Sequence, residues 1–191
     1  MGSLDNPFHP VSVALGADAT FVARTMDSDR KHLTAMLRAA SQHPGTALIE
    51  IYQNCNIFND GAFAPLKDVD TRDDFTIRME HGAPLRFGAD GRKAVLRDPD
   101  GSLSIGDDVA GDDPRVVLHD AHADNPSYAF ALSRLPMIDA RLAPMGIFRS
   151  VAKPTYDALM AEQLATAAAQ APADAAALNT LFAGPDTWTV N

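Results

Sequence analysis

An α/β fold is predicted for this chain by a strand–helix–strand succession near its start, by a helix-period stripe between the two strands, and by an apolar strand that runs straight into a polar turn. Thr20 to Arg24 reads as a short strand. Asp27-Ser28-Asp29 is a helix N-cap signal, because short side-chain oxygens there accept from the first free backbone N–H groups. The segment that follows sets Leu33, Met36, Leu37 and Ala40 at i, i+3, i+4 and i+7, the spacing of a core-facing stripe. Pro44-Gly45 stops that helix. Ala47 to Tyr52, apolar and rich in β-favouring residues, reads as a buried strand. Strand, helix, strand in this order implies a right-handed parallel crossover.

The remaining elements follow from local chemistry. Asn6 to Pro10 is an extended lead-in, and Val11 to Ala17 a short helix ending at Gly16. Ala64 to Asp74 is charged and reads as an exposed loop. Thr76 to Met79, Pro84 to Phe87, Lys93 to Arg97 and Ser102 to Ile105 are expected as short strands, with Gly82, Asp90-Gly91 and Asp100-Gly101 at the turns. Val116 to Leu118 is one more short strand. Pro126 to Leu135 reads as helical. Pro154 near a helix start, with its fixed φ, opens a helix to about Gln170. The alanine-rich stretch from Ala165 to Ala177, broken by Pro172, is a helical or linker composition, and Asp174 to Ala183 is a last helix. Residues 1–63 are thus one part and 64–191 a second, less regular one.

Composition bounds the function. The chain has 191 residues, 46% of them hydrophobic and 21% charged, enough to bury one core. A net charge of -9 excludes the cationic footprint that nucleic acid requires. No stretch is long and apolar enough to span a bilayer, and the start has no basic-then-apolar secretory pattern. One cysteine excludes a disulfide framework and fits a reducing cytoplasm.

That cysteine is the most informative residue. In an open α/β sheet, ligands sit just past the carboxyl ends of strands. Cys55 lies in the turn Gln53-Asn54-Cys55-Asn56, directly after the strand that ends at Tyr52. Its alternative is a small buried filler, since free cysteine packs as a hydrophobe. Tyr52 and Phe58 flank it, as shields or as plain packing residues. His119-Asp120-Ala121-His122 offers two imidazoles three apart, which share a face only on a helix, so a solvated loop is the competing reading. His9 and His81 have no carboxylate paired with them in sequence. Arg24 and Arg149 would meet an anionic substrate or cap a surface. Ser133 lacks nucleophile-elbow glycines.

Several stretches together resemble the β subunits of 2-oxoacid:ferredoxin oxidoreductases, especially the 2-oxoglutarate type. They are Asn6-Pro7-Phe8-His9-Pro10, Ala14-Leu15-Gly16-Ala17, Thr20-Phe21-Val22-Ala23-Arg24-Thr25, and Glu50 through Asp60. Ala129 to Leu135, Gly146-Ile147-Phe148-Arg149, Pro154-Thr155-Tyr156-Asp157 and Asp186 to Val190 continue the likeness. The resemblance implies the C-terminal portion of such a subunit: residues 1–63 closing a thiamine-diphosphate-binding parallel-sheet domain, residues 64–191 an irregular α+β extension. It implies oxidative decarboxylation of a 2-oxoacid to an acyl-CoA, with electrons passed to ferredoxin. It also implies a [4Fe–4S] cluster, thiamine diphosphate and Mg²⁺ as cofactors. The implied partners are an α subunit, ferredoxin and the N-terminal half of β, in the cytoplasm, with no nucleic acid or membrane.

The family's Cys-x-x-Cys and Gly-Asp-Gly motifs are absent, and Gly106-Asp107-Asp108 lacks the second glycine. Cys55 matches the family's last cluster cysteine, so it would be a single ligand to a cluster that needs four thiolates, the others lying outside this chain. The chain alone is expected to be inactive. Where the family carries proline after that cysteine, this chain has Asn56, which frees the backbone and adds an amide donor. Two other readings stand beside this one: a non-catalytic truncated module for subunit assembly, and a small metal-dependent enzyme using His119 and His122.

Overall fold

The architecture was obtained as a computed structural model, which describes residues 4–5, 7–170, 175–184 and 188. The chain divides into two units, Met1–Lys153 and Pro154–Asn191. The first is built on a four-stranded sheet. Helix α1 (Pro10–Gly16) leads into strand β1 (Phe21–Met26), helix α2 (Arg30–Gln42) and strand β2 (Ala47–Tyr52). β1 and β2 pair in parallel from Phe21↔Ala47 to Met26↔Tyr52, as the succession predicts. Two helical turns, α3 (Ala64–Lys67) and α4 (Arg72–Phe75), replace the loop expected from Ala64 to Asp74. Their apolar residues explain the difference, because Phe63 and Leu66 pack against buried Met26, Ala143 and Met145.

Strands β3 (Thr76–Met79), β4 (Arg86–Phe87), β5 (Lys93–Arg97) and β6 (Leu103–Gly106) follow, then helix α5 (Ser127–Ser133), a 3₁₀ turn (Leu135–Met137) and strand β7 (Ala143–Ser150). β4, β5 and β6 form an antiparallel sheet of their own. Its turns use Gly91 and Gly101 at φ of 67° and 86°, the left-handed conformation that the Asp-Gly pairs predict. Val116 and Leu118 contribute single bridges to Leu96 and Pro84 rather than a strand.

The main sheet has the order β2-β1-β7-β3. β7 runs antiparallel to β1 and parallel to β3. β3 and β7, which follow residue 63, lie in the same sheet as β1 and β2. All six residues of β1 are buried, as befits an interior strand. β2 is an edge strand, so it is half-buried, not fully buried as the sequence suggested.

The stripe on α2 differs as well. No residue of this helix is fully buried and Leu37 is 48% exposed, because its sheet partner ends at the β2 edge. Two side-chain pairs pin it instead: Thr25 Oγ1 lies 2.8 Å from His32 Nδ1, and Thr20 Oγ1 lies 2.8 Å from His43 Nε2. The core joins α1, β1, β3, the smaller sheet, α5 and β7 through Val11, Leu15, Val22, Ile77, Leu132 and Phe148. The second unit holds helices α6 (Tyr156–Gln170) and α7 (Ala175–Ala183), near the predicted spans and with no fully buried residue. Pro172 and most of the terminal stretch around Trp188 lie outside the described residues, and Trp188 itself is exposed.

Candidate functional site

β1 and β2 end at Met26 and Tyr52, and their carboxyl ends face the same way because the strands are parallel. Asp27 N–H donates to the Tyr52 carbonyl at 3.0 Å and keeps the two exits together. The chain leaves Tyr52 into a tight loop from Asn54 to Gly61. Asn54 closes that loop from both directions: its Nδ2 donates to Asp60 Oδ1 at 2.8 Å, and its Oδ1 accepts from Gly61 N–H at 2.9 Å. Gly61 takes a φ of 76°, which a side chain would resist. Cys55 and Asn59 form a single antiparallel bridge, with Asn59 N–H donating to the Cys55 carbonyl at 3.0 Å.

Inside this loop the Cys55 thiol is free and exposed. It is therefore not the packing residue that its type alone allows. The backbone N–H groups of Phe58, Ile57 and, more weakly, Asn59 are turned to the sulfur and hold the thiol below the ordinary cysteine value. They outweigh the opposing effects of slight desolvation and the Asp60 carboxylate. A concave row of amides of this kind favours an anionic sulfur. The same donors suit a metal-bound thiolate, where N–H···S bonds tune the potential.

The surroundings of the loop are asymmetric. Tyr52 stacks on Phe63 at 4.5 Å with their planes 15° apart, so it packs under the loop. Ile57 and Phe58 project outward, 80% and 90% exposed. Two large apolar side chains thus stand beside an accessible sulfur. Among the described residues no group of three or more His, Cys, Asp or Glu is arranged to hold a metal ion.

The remaining candidates separate clearly. His119 is buried, not on a solvated loop, and both ring nitrogens are engaged. The Ile147 carbonyl can only accept, so Nε2–H donates to it at 2.8 Å and Nδ1 accepts from the Tyr128 hydroxyl at 3.0 Å. This leaves no lone pair for a metal, and the reading of His119 and His122 as a metal pair is corrected on that ground. His122 instead lies against His81, ring centroids 4.4 Å apart, with its Nδ1 on the Ser150 carbonyl. His81 does find a carboxylate, Asp120 at 3.5 Å, but both side chains are solvated.

Arg24 is neither a substrate ligand nor a surface cap. It is buried in β1, its Nε 2.6 Å from Glu50 Oε2 and its guanidinium between the rings of Tyr52 and Phe148. Arg149 is also buried, and donates to the carbonyls of Asp18, Ala19 and Asp124. Ser133 shares a buried hydrogen bond with Ser12 at 2.7 Å. His9 precedes α1 without a capping bond from its side chain. Asn54 is the loop-closing residue that the sequence pattern alone does not single out. The signal it leaves is an Asn beside a turn residue with an Asp-Gly six positions on.

Comparison with known proteins gives this geometry a context. No family model matches the chain. Over its whole length it is 49% identical to the 2-oxoglutarate oxidoreductase subunit KorB of Mycobacterium tuberculosis, of which it covers 51%. Over 58 residues, 30% of this chain and 19% of the relative, it is 36% identical to a 2-oxoacid:ferredoxin oxidoreductase subunit beta from Sulfolobus. Its fold matches a chain of the 2-oxoglutarate:ferredoxin oxidoreductase of Magnetococcus marinus, solved with 2-oxoglutarate, coenzyme A and succinyl-CoA bound. That match has a TM-score of 0.57 at 20% identity and covers 96% of this chain and 47% of the other. The chain spans about half the length of the relative it matches throughout. It is thus related, along its entire length, to about half of a 2-oxoacid oxidoreductase β subunit.

Proposed function

We propose that this chain serves as the C-terminal portion of the β subunit of a 2-oxoglutarate:ferredoxin oxidoreductase, and that Cys55 supplies one thiolate to a [4Fe–4S] cluster completed from outside the chain. The observation that carries the reading is the Cys55 loop. It presents an accessible sulfur, lowered in pKa by backbone N–H groups, at the carboxyl end of the sheet. The kinship with a 2-oxoglutarate oxidoreductase subunit supplies the reaction.

In that reading the cluster, when bound, accepts single electrons and passes them on. The chain's own residues perform the supporting work. Asn54 fixes the loop, so that Cys55 is presented already ordered. The amides of Ile57, Phe58 and Asn59 stabilise charge on its sulfur. Ile57 and Phe58 exclude water once a partner surface closes over them. Thiamine diphosphate, Mg²⁺ and coenzyme A belong to the assembled enzyme, with an α subunit, the N-terminal half of β and ferredoxin as partners in the cytoplasm. Residues 1–63 would close the thiamine-diphosphate domain, with 64–191 as the β-subunit extension.

The test is reconstitution. Co-purified with an α subunit and an N-terminal β half, the chain should give ferredoxin reduction that depends on both 2-oxoglutarate and coenzyme A. Omitting this chain should abolish it. Full activity without the chain would refute the proposal.

A further inference from the structure

Two aromatic side chains bracket the segment that carries Cys55. Tyr52 ends β2 and Phe63 precedes α3, with residues 53–62 between them. Their rings stack at 4.5 Å with planes 15° apart, so the pair closes that segment at its base. With Leu66 they rest on a small cluster of buried Met26, Ala143 and Met145, separate from the main core. The guanidinium of Arg24 lies over the same Tyr52 ring, 5.1 Å from its centroid, and 5.2 Å from the centroid of Phe148. Phe148 in β7 and Arg24 in β1 are both buried. Glu50 Oε2, 2.6 Å from Arg24 Nε, and the Pro144 carbonyl, 3.4 Å from its Nη1, fix the guanidinium in place. A continuous line of contacts, Phe148–Arg24–Tyr52–Phe63, thus runs from the interior of the sheet to the foot of the Cys55 loop.

The loop needs such a foot. The N–H groups of Phe58, Ile57 and Asn59 act on the sulfur only while the loop keeps its shape, because hydrogen bonds weaken steeply as they bend. Asn54 ties the middle of the loop, but both of its bonds are exposed, where water competes for the same groups. The stacked pair is half-buried and joins the two ends of the segment, which reduces the conformational freedom left to the residues between. Burial raises the Tyr52 pKa, so the side chain stays neutral and its ring does the work.

We infer that Tyr52 is a positioning residue for Cys55: its ring, stacked on Phe63 and seated on Arg24, keeps the loop in the shape that turns the amides of residues 57–59 to the sulfur. Its bearing on a cluster rests on the function proposed above, whereas its effect on the thiol belongs to this chain alone. Aromatic stacking and cation–π contact both require a π face. Tyr52→Phe keeps that face and loses the hydroxyl, while Tyr52→Leu stays apolar and loses the face.

The test combines amide hydrogen exchange with the pH–rate profile for alkylation of Cys55 by iodoacetamide, both on the full chain. In Tyr52→Leu, exchange at Ile57, Phe58 and Asn59 should quicken at least about fivefold while exchange at Val22 and Ala23 in β1 stays native. The midpoint of the alkylation profile should move up toward that of the urea-unfolded chain. Tyr52→Phe should match the native chain in both readouts. Should Tyr52→Leu quicken exchange throughout the sheet, Phe63→Leu, which removes the same stack from outside the sheet, carries the comparison. Native exchange and a native profile in the leucine variant would overturn the inference. Equal disturbance by Tyr52→Phe would overturn it too, by placing the role in the hydroxyl. Neither readout needs a cluster. Iron retained by a Cys55→Ala complex would therefore remove the cluster reading and leave the positioning intact, and a native profile in Tyr52→Leu would do the reverse.

Discussion

At the scale of single residues, the chemistry of this chain depends on which polar groups the backbone has already satisfied. Cys55 is poised because three amides face its sulfur, with Phe58 the strongest contributor. A lowered pKa means more thiolate at neutral pH, so iodoacetamide should modify Cys55 faster at pH 7 in the native chain than in the urea-unfolded chain. Asn54→Ala removes both loop-closing bonds and should slow that reaction toward the unfolded rate. Equal rates in all three samples would show that the loop does not activate the thiol.

His119 illustrates the opposite case, a titratable group held neutral. Burial lowers its pKa before any other influence, although the Ile147 carbonyl pulls it upward. His32 and His43 are lowered by burial too. In the unfolded chain such residues take up protons around an ordinary value of about 6.5. Their contribution to stability is therefore complete above that pH and is lost as pH falls toward the depressed native values. Urea midpoints should decline below about pH 6.5, and His119→Gln should flatten the decline by about one proton's share. An unchanged slope in His119→Gln would mean that folding does not shift the proton affinity of His119.

Among secondary-structure elements, β7 is the one that decides the architecture. It is the interior strand that ties β1 to β3, yet no local sequence pattern announces it. Its residues Ala143-Pro144-Met145-Gly146 look like a break, since proline lacks a ladder donor and glycine weakens a strand. The structure shows why both are tolerated. The β1 ladder ends at Arg24↔Gly146, so Pro144 lies beyond it and has no N–H to waste on that side. The Pro144 carbonyl instead accepts from Arg24 at 3.4 Å. Gly146 has a φ of 136°, and a Cβ there would stand 2.5 Å from the Met79 carbonyl oxygen. Gly146→Ala should therefore lower stability by about 2–4 kcal/mol, read from chemical denaturation, because backbone must move on both strands. A loss below about 0.5 kcal/mol would contradict this packing.

The elements that were legible share a cause. β1, α2 and β2 announce themselves through local pattern and the Asp29 cap, and the small hairpins through Asp-Gly turns. What periodicity could not convey was how much each element would be covered. The stripe on α2 and the apolar run of β2 are half-covered because β2 is the sheet edge, a property of strand order rather than of either segment. The site shows the same split. Cys55 was visible as the one cysteine after a strand, whereas burial of His119, Arg24 and Arg149 depends on contacts with distant segments.

For the molecule as a whole, three features point toward a larger assembly. The β2 edge has no further strand among the described residues, and Ile51 on it is 43% exposed. Unpaired strand edges are ordinarily covered or blunted. Ile57 and Phe58 stand exposed on the loop that carries Cys55. The single cysteine cannot by itself satisfy a four-thiolate cluster. Each is explained if the other half of the β subunit and its partners close over the carboxyl end of the sheet.

The most direct test of that account is the iron and acid-labile sulfide content of the complex formed with the N-terminal β half and the α subunit, comparing the native chain with Cys55→Ala. A cluster held by Cys55 gives a [4Fe–4S] signature with the native chain and its loss or severe depletion with Cys55→Ala, in complexes of equal subunit composition. Equal iron and sulfide in both complexes would contradict it and leave Cys55 without a role in the cluster.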